Sequence, residues 1–308
     1  MTKSNPKVSV VIGCRNEEDN VVAMTQAVRH QLDALGLDFE LIYIDNASVD
    51  RTVELVKAQC ALDPRVKLIE NQGNFGQLRS PVHALFQATG DVVIGMCADF
   101  QDPPELIPAF IEGWREGYPV VLGVRKVEVG NTWMHRQLRS LGYWFAQRVF
   151  DQPLVANATG FGLHDRAVLE VLKTLKEPEP LMRTLLLEFG WPYKLIEFHR
   201  PERAGGRSNN NFFTLVDFSI SAVSSSAKRL IRYSTYLGVV LMLLALPTLL
   251  VDVVVHHELG PWGWAALLEL NFAILFIFVG LLGDQVRLIG ERVRQTPLVV
   301  EKHRTNFE

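Results

Sequence analysis

Neither of the glycine-rich phosphate signatures occurs in this chain. There is no GxGxxG and no GxxxxGK[ST], which excludes a Rossmann dinucleotide fingerprint and a P-loop. Cysteine is scarce. Cys14, Cys60 and Cys97 are odd in number and lack metal-ligand spacing, so a disulfide scaffold and a zinc knuckle are excluded and reduced intracellular thiols are expected. Charge of one sign is not in excess: 31 basic and 34 acidic residues give a net charge of −3, which argues against a general nucleic-acid binder. Met1 to Pro6 is polar with no apolar h-region, so no secretory signal is expected. The short loop between the two long apolar runs near the C-terminus carries no lysine or arginine.

Before residue 200, short β-branched runs alternate with helical patterns. Val8–Ile12, Phe39–Ile44, Val66–Ile69, Asp91–Met96 and Val120–Val124 read as strands. Between them, apolar residues recur at helical spacing, as in Val21, Val22, Ala27, Val28 and Leu32. This alternation predicts an α/β domain with a doubly wound, mostly parallel sheet. Right-handed crossovers then bring the strand ends at Asn16, Asp45 and Asp99 to one rim, where open α/β sheets bind ligands.

The stretch from Met96 to Glu105, MCADFQDPPE, follows the fourth strand and precedes an apolar-periodic helix with prolines at its start. Asp99, Gln101 and Asp102 offer two carboxylates and an amide oxygen. Hard oxygens of this kind suit Mg²⁺ or Mn²⁺, cations commonly used to hold phosphates. Alone, the pattern also fits an acidic loop capping a helix.

VSVVIGCRNEEDN, IYIDNASVDRT, GNFGQ and CADFQDPPELI together resemble, in order and spacing, the nucleotide-binding domain of family-2 glycosyltransferases. The closer resemblance is to the membrane-bound branch that includes the dolichyl- and polyprenyl-phosphate sugar synthases, and it runs from about residue 7 to residue 300. It implies a GT-A-type nucleotide-sugar domain. Asn16, Glu17 and Asp45 would line the nucleoside pocket, although Asn16 and Glu17 equally suit helix capping. Asp99 and Gln101 would bind the cation that bridges the diphosphate, and Asp102 would orient the loop or cap the next helix. Residues 201–211 resemble the family's R-x-x-G-x-S-K loop over the donor phosphates, which gives Arg203, Arg207 and Ser208 phosphate-binding roles.

The chain departs from that pattern at three places. Cys97 stands where the family usually has a carboxylate, Gly160 where the polyprenyl-phosphate enzymes have an acid followed by an arginine (here Gly162), and Asn209 where a lysine follows Ser208. A hydroxyl acceptor needs a base within hydrogen-bond reach. A lipid phosphate, with a second pKa of about 6, is already an anionic nucleophile. The missing acid therefore tells more against a sugar-hydroxyl acceptor than against a lipid-phosphate one. His164 or Asp165 is the alternative source of a base, while Asp165-Arg166 also reads as a helix start.

Trp133 to Phe150 is a basic, tryptophan-bearing amphipathic pattern that fits an interfacial helix or one packed on the soluble core. Its Arg136 and Arg139 present guanidinium forks suited to donor or lipid phosphate. The chain is thus divided into a cytoplasmic glycosyltransferase domain (1–211), an interfacial amphipathic helix (212–233), two transmembrane helices (234–284) and a cytoplasmic tail (285–308). Each apolar run has about 20 residues, enough to cross ~30 Å of hydrocarbon. Lys228, Arg229 and Arg232 before the first run, and Arg287, Arg292 and Arg294 after the second, place both ends in the cytoplasm. Glu269 is costly in lipid and points to helix packing, including packing between copies in a homo-oligomer. The tail resembles the family's juxtamembrane helix and short strand and is expected to return to the catalytic domain or the membrane surface.

The expected protein is an inner-membrane hexosyltransferase of the cell envelope. It would use Mg²⁺ or Mn²⁺, take a nucleotide sugar as donor and polyprenyl phosphate as acceptor, and invert configuration at the cytoplasmic face. Asp99, Gln101, Arg203 and Arg207 would carry the chemistry. The rivals are transfer to a lipid-linked saccharide or other hydroxyl, and a degenerate paralogue that binds nucleotide sugar without turnover.

Overall fold

The structure, a computed structural model, describes residues 5–126, 155, 158–178, 180–199 and 201, scattered helical positions between 271 and 293, and residues 295–307. Trp133–Phe150, the loop at 202–211, the interfacial segment 212–233 and the run 234–270 lie outside the described residues. So do Arg136, Arg139, Arg203, Arg207, Ser208 and Asn209. Among the described residues no helix is long and apolar enough to cross a membrane. The chain divides into two compact units, one of residues 1–137, 153–209 and 295–308, the other of residues 138–152 and 210–294.

The first unit is built on an eight-stranded sheet. In chain order its elements are β1 (Val8–Cys14), α1 (Val21–Ala34), β2 (Phe39–Asp45), α2 (Thr52–Leu62), β3 (Val66–Asn71), α3 (Gly76–Gln87), β4 (Val92–Cys97), α4 (Ile107–Arg115) and β5 (Val120–Arg125). Then come β6 (Ala158–Asp165), α5 (Arg166–Thr174), α6 (Met182–Glu188), β7 (Tyr193–Phe198) and β8 (Glu301–Thr305). The strand order is β7-β5-β6-β4-β1-β2-β3-β8. β1–β2, β1–β4, β2–β3 and β5–β7 pair in parallel, while β4–β6, β5–β6 and β3–β8 are antiparallel.

The central strands are apolar on both faces because both faces are covered. Val8, Val10 and Ile12 of β1 pack with Val21, Met24, Val28 and Leu32 of α1 and Phe110 of α4. Val11, between them in sequence, points the other way, into a cluster with Ile42, Val82, Leu85 and Leu169. The period of two in the strand thus separates two cores. α1 buries Val21, Met24, Thr25, Val28 and Leu32, the stripe spaced by three and four that its sequence displays.

All five strands expected from the β-branched runs are present. Sequence reading missed β6, which lies antiparallel between β4 and β5, and β7 at the sheet edge. The tail does return: β8 adds to β3, and Asn306 Nδ2 donates to the carbonyls of Cys60 and Val66 at 2.8 Å each. Arg79 of α3 donates through Nε to the Leu298 carbonyl at 2.9 Å and through Nη2 to that of Pro297 at 2.7 Å.

Candidate active site

The parallel register decides which groups share a rim. Cys14 is level with Asp45, Asp45 with Glu70, and Gly13 with Cys97. The residues that follow, Arg15–Asn16, Asn46 and Ala98–Asp99, therefore emerge together at the C-terminal ends of β1, β2 and β4. Asn16, Asp45, Asp99 and Gln101 lie along this rim. The site's predicted arginines and Ser208 are outside the described residues.

The first two rim loops are knitted together. Asn16 adopts φ 55°, a left-handed conformation that asparagine tolerates better than most residues. Its N–H donates to Ser48 Oγ at 2.9 Å, and its side-chain oxygen accepts from the Val49 N–H at 2.9 Å. The Glu17 N–H donates to Thr52 Oγ1 at 2.8 Å, and the Glu17 carboxylate accepts from Asn20 Nδ2 at 2.7 Å. Glu17 is buried and faces the start of α1. Asp45, also buried, accepts from both the N–H (3.0 Å) and the hydroxyl of Ser48. Burial raises its pKa, the two Ser48 bonds oppose that, and Glu70 and Asp50 add to it. Asp45 is a fixed acceptor at a strand end, suited to N–H or O–H donors of a nucleoside.

A third loop hangs from Asn46, which sequence reading did not single out. Its Nδ2 donates to Asn74 Oδ1 at 2.7 Å, and its Oδ1 accepts from the Phe75 N–H at 2.8 Å. Asn71 Nδ2 bonds Ser80 Oγ at 2.8 Å. The Asn74-Phe75-Gly76 turn is thereby tied to the ends of β2 and β3. The usable signal was position: Asn46 and Asn71 sit at strand ends, where an amide can satisfy a neighbouring loop's backbone.

At the end of β4, Cys97 is exposed and Asp102 is buried. The Cys97 N–H donates to Asp102 Oδ2 at 3.0 Å, and the Cys97 thiol bonds the same carboxyl group. Burial raises the Asp102 pKa, while the bonds from Cys97 and the charge of Arg125 pull against it. Asp102 thus holds the loop rather than facing a ligand. Between the two, Phe100 turns at φ 60°, and Asp99 Oδ1 accepts from the Gln101 N–H at 3.2 Å. Asp99 and Gln101 are brought onto one tight turn at the rim.

No group of three or more His, Cys, Asp or Glu side chains among the described residues forms a metal cage. A phosphate-bound Mg²⁺ does not need one: it is held by one or two carboxylates, water and the phosphates themselves. The Asp99 carboxylate and Gln101 amide, hard oxygens on one half-buried turn, fit such a cation.

The departures at Cys97 and Gly160 lie beyond the same end of the β4–β6 ladder. That ladder runs as far as Gly95 with Gly162, and its register carried two residues on sets Gly160 level with Cys97. A Cβ on Gly160 would meet nothing within 4 Å. One on Gly162 would lie 2.5 Å from the Val121 carbonyl oxygen, which is why the family's arginine has no room on this backbone.

His164 and Asp165 do not supply a base there. They pair with Val93 and Val92 at the opposite end of β4. At about 3.3 Å per residue, His164 lies roughly 13 Å along the strand from Cys97. Asp165 caps α5, accepting from the Ala167 N–H at 2.8 Å, and also accepts from Trp114 Nε1 at 2.7 Å. The helix-start reading of Asp165-Arg166 is the one the structure adopts.

His164 instead predicts a pH effect. It is buried, its Nδ1 has no partner among the described residues, and burial pushes its pKa down to about 4 from the ordinary 6.5. The unfolded chain therefore takes up the proton first. The stability tied to neutral His164 is complete above pH ~6.5 and is lost as the pH falls toward 4, by up to about 3 kcal/mol. Unfolding free energies measured from pH 7 to pH 4 should show this fall in the wild type and a shallower one in His164→Leu.

A three-layer α/β unit with fixed acceptors at the ends of β1, β2 and β4 has the architecture of a GT-A nucleotide-sugar domain. Mannosyl-3-phosphoglycerate synthase from Rubrobacter xylanophilus shares this fold, with a TM-score of 0.51 and 18% identity over 75% of each chain. The profile of Glycosyl transferase family 2 matches residues 9–171. The chain belongs to that family and is a glycosyltransferase. It is 27% identical over 297 residues to an uncharacterised glycosyltransferase of Bacillus subtilis (strain 168), YkcC, covering 95% of this chain and 92% of that one. It is 26% identical over 307 residues to the SfII prophage-derived bactoprenol glucosyl transferase of Shigella flexneri, covering 97% and 99%.

Proposed function

We propose that this glycosyltransferase moves a sugar, glucose being the first candidate, from a nucleoside diphosphate to polyprenyl phosphate. Transfer takes place at the cytoplasmic face of the inner membrane, with inversion at the anomeric carbon. The observation that carries the acceptor assignment is the neutral spot beside Asp99, which leaves a hydroxyl acceptor without a base, whereas a phosphate nucleophile does not need the acid that the polyprenyl-phosphate enzymes have there. Cys97 and Gly160 leave no carboxylate where related enzymes have two, and His164 and Asp165 lie at the other end of the strand. A phosphate oxygen attacks without a base. End-to-end similarity to a protein named for bactoprenol glucosyl transfer supports the same acceptor.

In this reading Asp45 accepts hydrogen bonds from the base or ribose and fixes the nucleoside. Asp99 and Gln101 hold the divalent cation, which when bound neutralises charge on the departing diphosphate. Asp102 keeps that turn in place through Cys97. Arg136, Arg139, Arg203, Arg207 and Ser208 contribute phosphate contacts. The segment at 234–284 spans the membrane twice and keeps both termini in the cytoplasm, and Glu269 packs between helices, including those of a second copy.

A donor screen on the full-length protein in detergent tests this function. UDP- and GDP-sugars are offered with undecaprenyl phosphate and Mg²⁺ or Mn²⁺. An acid-labile lipid-linked sugar formed with one donor is the expected product. Nucleotide binding with no turnover of any donor would establish the degenerate-paralogue reading instead.

The neutral spot also makes a prediction by reversal. Gly160→Asp should fold normally, since its Cβ meets open space. With Gly162 in place of the family's arginine, nothing there offsets a new carboxylate near the donor phosphates, which should cost about 1–2 kcal/mol and lower the rate of transfer roughly tenfold. Initial rates of the variant check this. A faster rate would mean that the site works better with an acid there.

A further inference from the structure

We infer that the helical residues described between Leu275 and Val293 present a docking face for a second copy of this chain, the two helices joining as a parallel two-stranded coiled coil. The inference deepens the packing between copies proposed above. It rests, for the shared direction of the two helices, on the reading of 234–284 as membrane-spanning.

Every described position between 271 and 293 is helical. The exposed large apolar side chains described there are Leu275, Val279, Leu282, Val286, Ile289 and Val293, each more than half exposed. Their spacing is four, three, four, three, four. That is the 3.5-residue repeat of a coiled-coil seam, narrower than the stripe of a helix packed on a globular core. Val279, Val286 and Val293 fall at position a of the heptad, and Leu275, Leu282 and Ile289 at position d. β-Branched residues at a with leucine at d favour two parallel strands.

The stripe is more than a wall facing lipid. It runs past Asp284, where the apolar sequence ends, into Val286, Ile289 and Val293, among Gln285, Arg287, Glu291, Arg292 and Arg294. It carries no aromatic residue of the kind that anchors an interfacial helix. On the far side of the same helix Leu288 is only 3% exposed, so that side is packed within the chain and the seam is the side left open.

The positions beside the seam suit a like helix. Gly283 and Gly290 both fall at position e, and a Cβ on either would meet nothing within 4 Å. A glycine inside a helix costs about 1 kcal/mol against alanine. No described neighbour requires it at these two positions, whereas close approach of a second backbone does. Gln285 falls at position g, so a parallel copy sets an amide against Gly290 and brings no like charges together there. Six such side chains on each of two copies offer on the order of 1,000 Å² of apolar surface, about what a specific interface buries.

The test is a cysteine scan of the full-length protein in its membrane. Val286→Cys, Ile289→Cys and Val293→Cys lie on the seam, and Arg287→Cys and Glu291→Cys lie off it. Each is oxidised with copper phenanthroline and run without reductant, with the wild type and its exposed Cys97 as the blank. Disulfide-linked dimer should be at least about fivefold more abundant at the three seam positions than at the other two. Antiparallel helices would link identical residues near one crossing point only, so linkage at all three positions supports the parallel pair and linkage at one alone overturns it. No linkage, or equal linkage at all five positions, assigns the stripe to lipid and overturns the docking face. An alkaline wash of the same membranes tests the spanning reading separately. Release of the wild type would sink that reading, while the pattern of linkage still decides the seam.

Discussion

Asp99→Ala is expected to reduce sugar transfer by roughly a thousandfold or more while leaving the melting temperature within a degree or two. Asp99 sits on a half-buried turn at the rim, accepts from the Gln101 N–H at 3.2 Å, and belongs to none of the apolar clusters of the core, so the packing does not depend on it. Its removal takes away one of the two oxygens proposed to hold the cation that screens the leaving diphosphate. Lewis-acid stabilisation of that kind is worth several kcal/mol, and each 1.36 kcal/mol is a factor of ten in rate. Gln101→Ala should lose less, because a neutral amide contributes no charge. The check is the rate of lipid-linked product formation at saturating donor, with unfolding curves beside it. A variant retaining a tenth of wild-type turnover would show that Asp99 does not hold the cation.

The second large effect is on stability. Phe161→Ala should cost about 3–5 kcal/mol, the range for removing a buried aromatic ring from a packed core. Phe161 is fully buried in β6 and meets Phe110 of α4 edge-on, at 4.7 Å between ring centroids, and Phe198 of β7 at 5.8 Å. One ring thus joins the strand beside Gly160 to a helix and to the edge of the sheet. Denaturant unfolding should show the loss, and activity should fall only as far as the folded fraction falls. A cost under 1 kcal/mol would mean that β6 is not anchored by this ring.

These two variants separate what could be read from the sequence from what could not. β1 to β5 were legible because strands buried on both faces are written as runs such as VSVVI and LIYI. β6 was not, because ATGFGLHD carries two glycines and a histidine in place of a β-branched run. Its glycines have different causes. Gly162 is required by the nearness of the Val121 carbonyl, a contact between segments some forty residues apart in sequence, whereas Gly160 is required by nothing in its surroundings. β8 has the sequence EKHRT, which reads as surface. It is a strand because it pairs along the edge of β3, with its side chains largely exposed.

At the site, the position of Asp45 and Asp99 at strand ends follows from the α/β pattern. The interlocking of Asn16 with Ser48 and Val49, and of Asn46 with the Asn74-Phe75-Gly76 turn, does not, since each depends on two loops meeting in space. The coincidence of Cys97 with Gly160 is also a product of antiparallel register. Read singly, the two departures suggested a weakened metal site and a lost base. Set level by the continued register, they describe one neutral patch next to the Asp99–Gln101 turn.

The central claim is that the acceptor brings its own nucleophilic charge. Its most direct test compares undecaprenyl phosphate with undecaprenol as acceptors, using the full-length protein and its matched donor, with lipid products identified by mass spectrometry. The account predicts sugar on the phosphorylated lipid, lost in Asp99→Ala, and at least a hundredfold less on the alcohol. Comparable transfer to both would mean that the protein activates a hydroxyl, which the described rim has no group placed to do, and would contradict it.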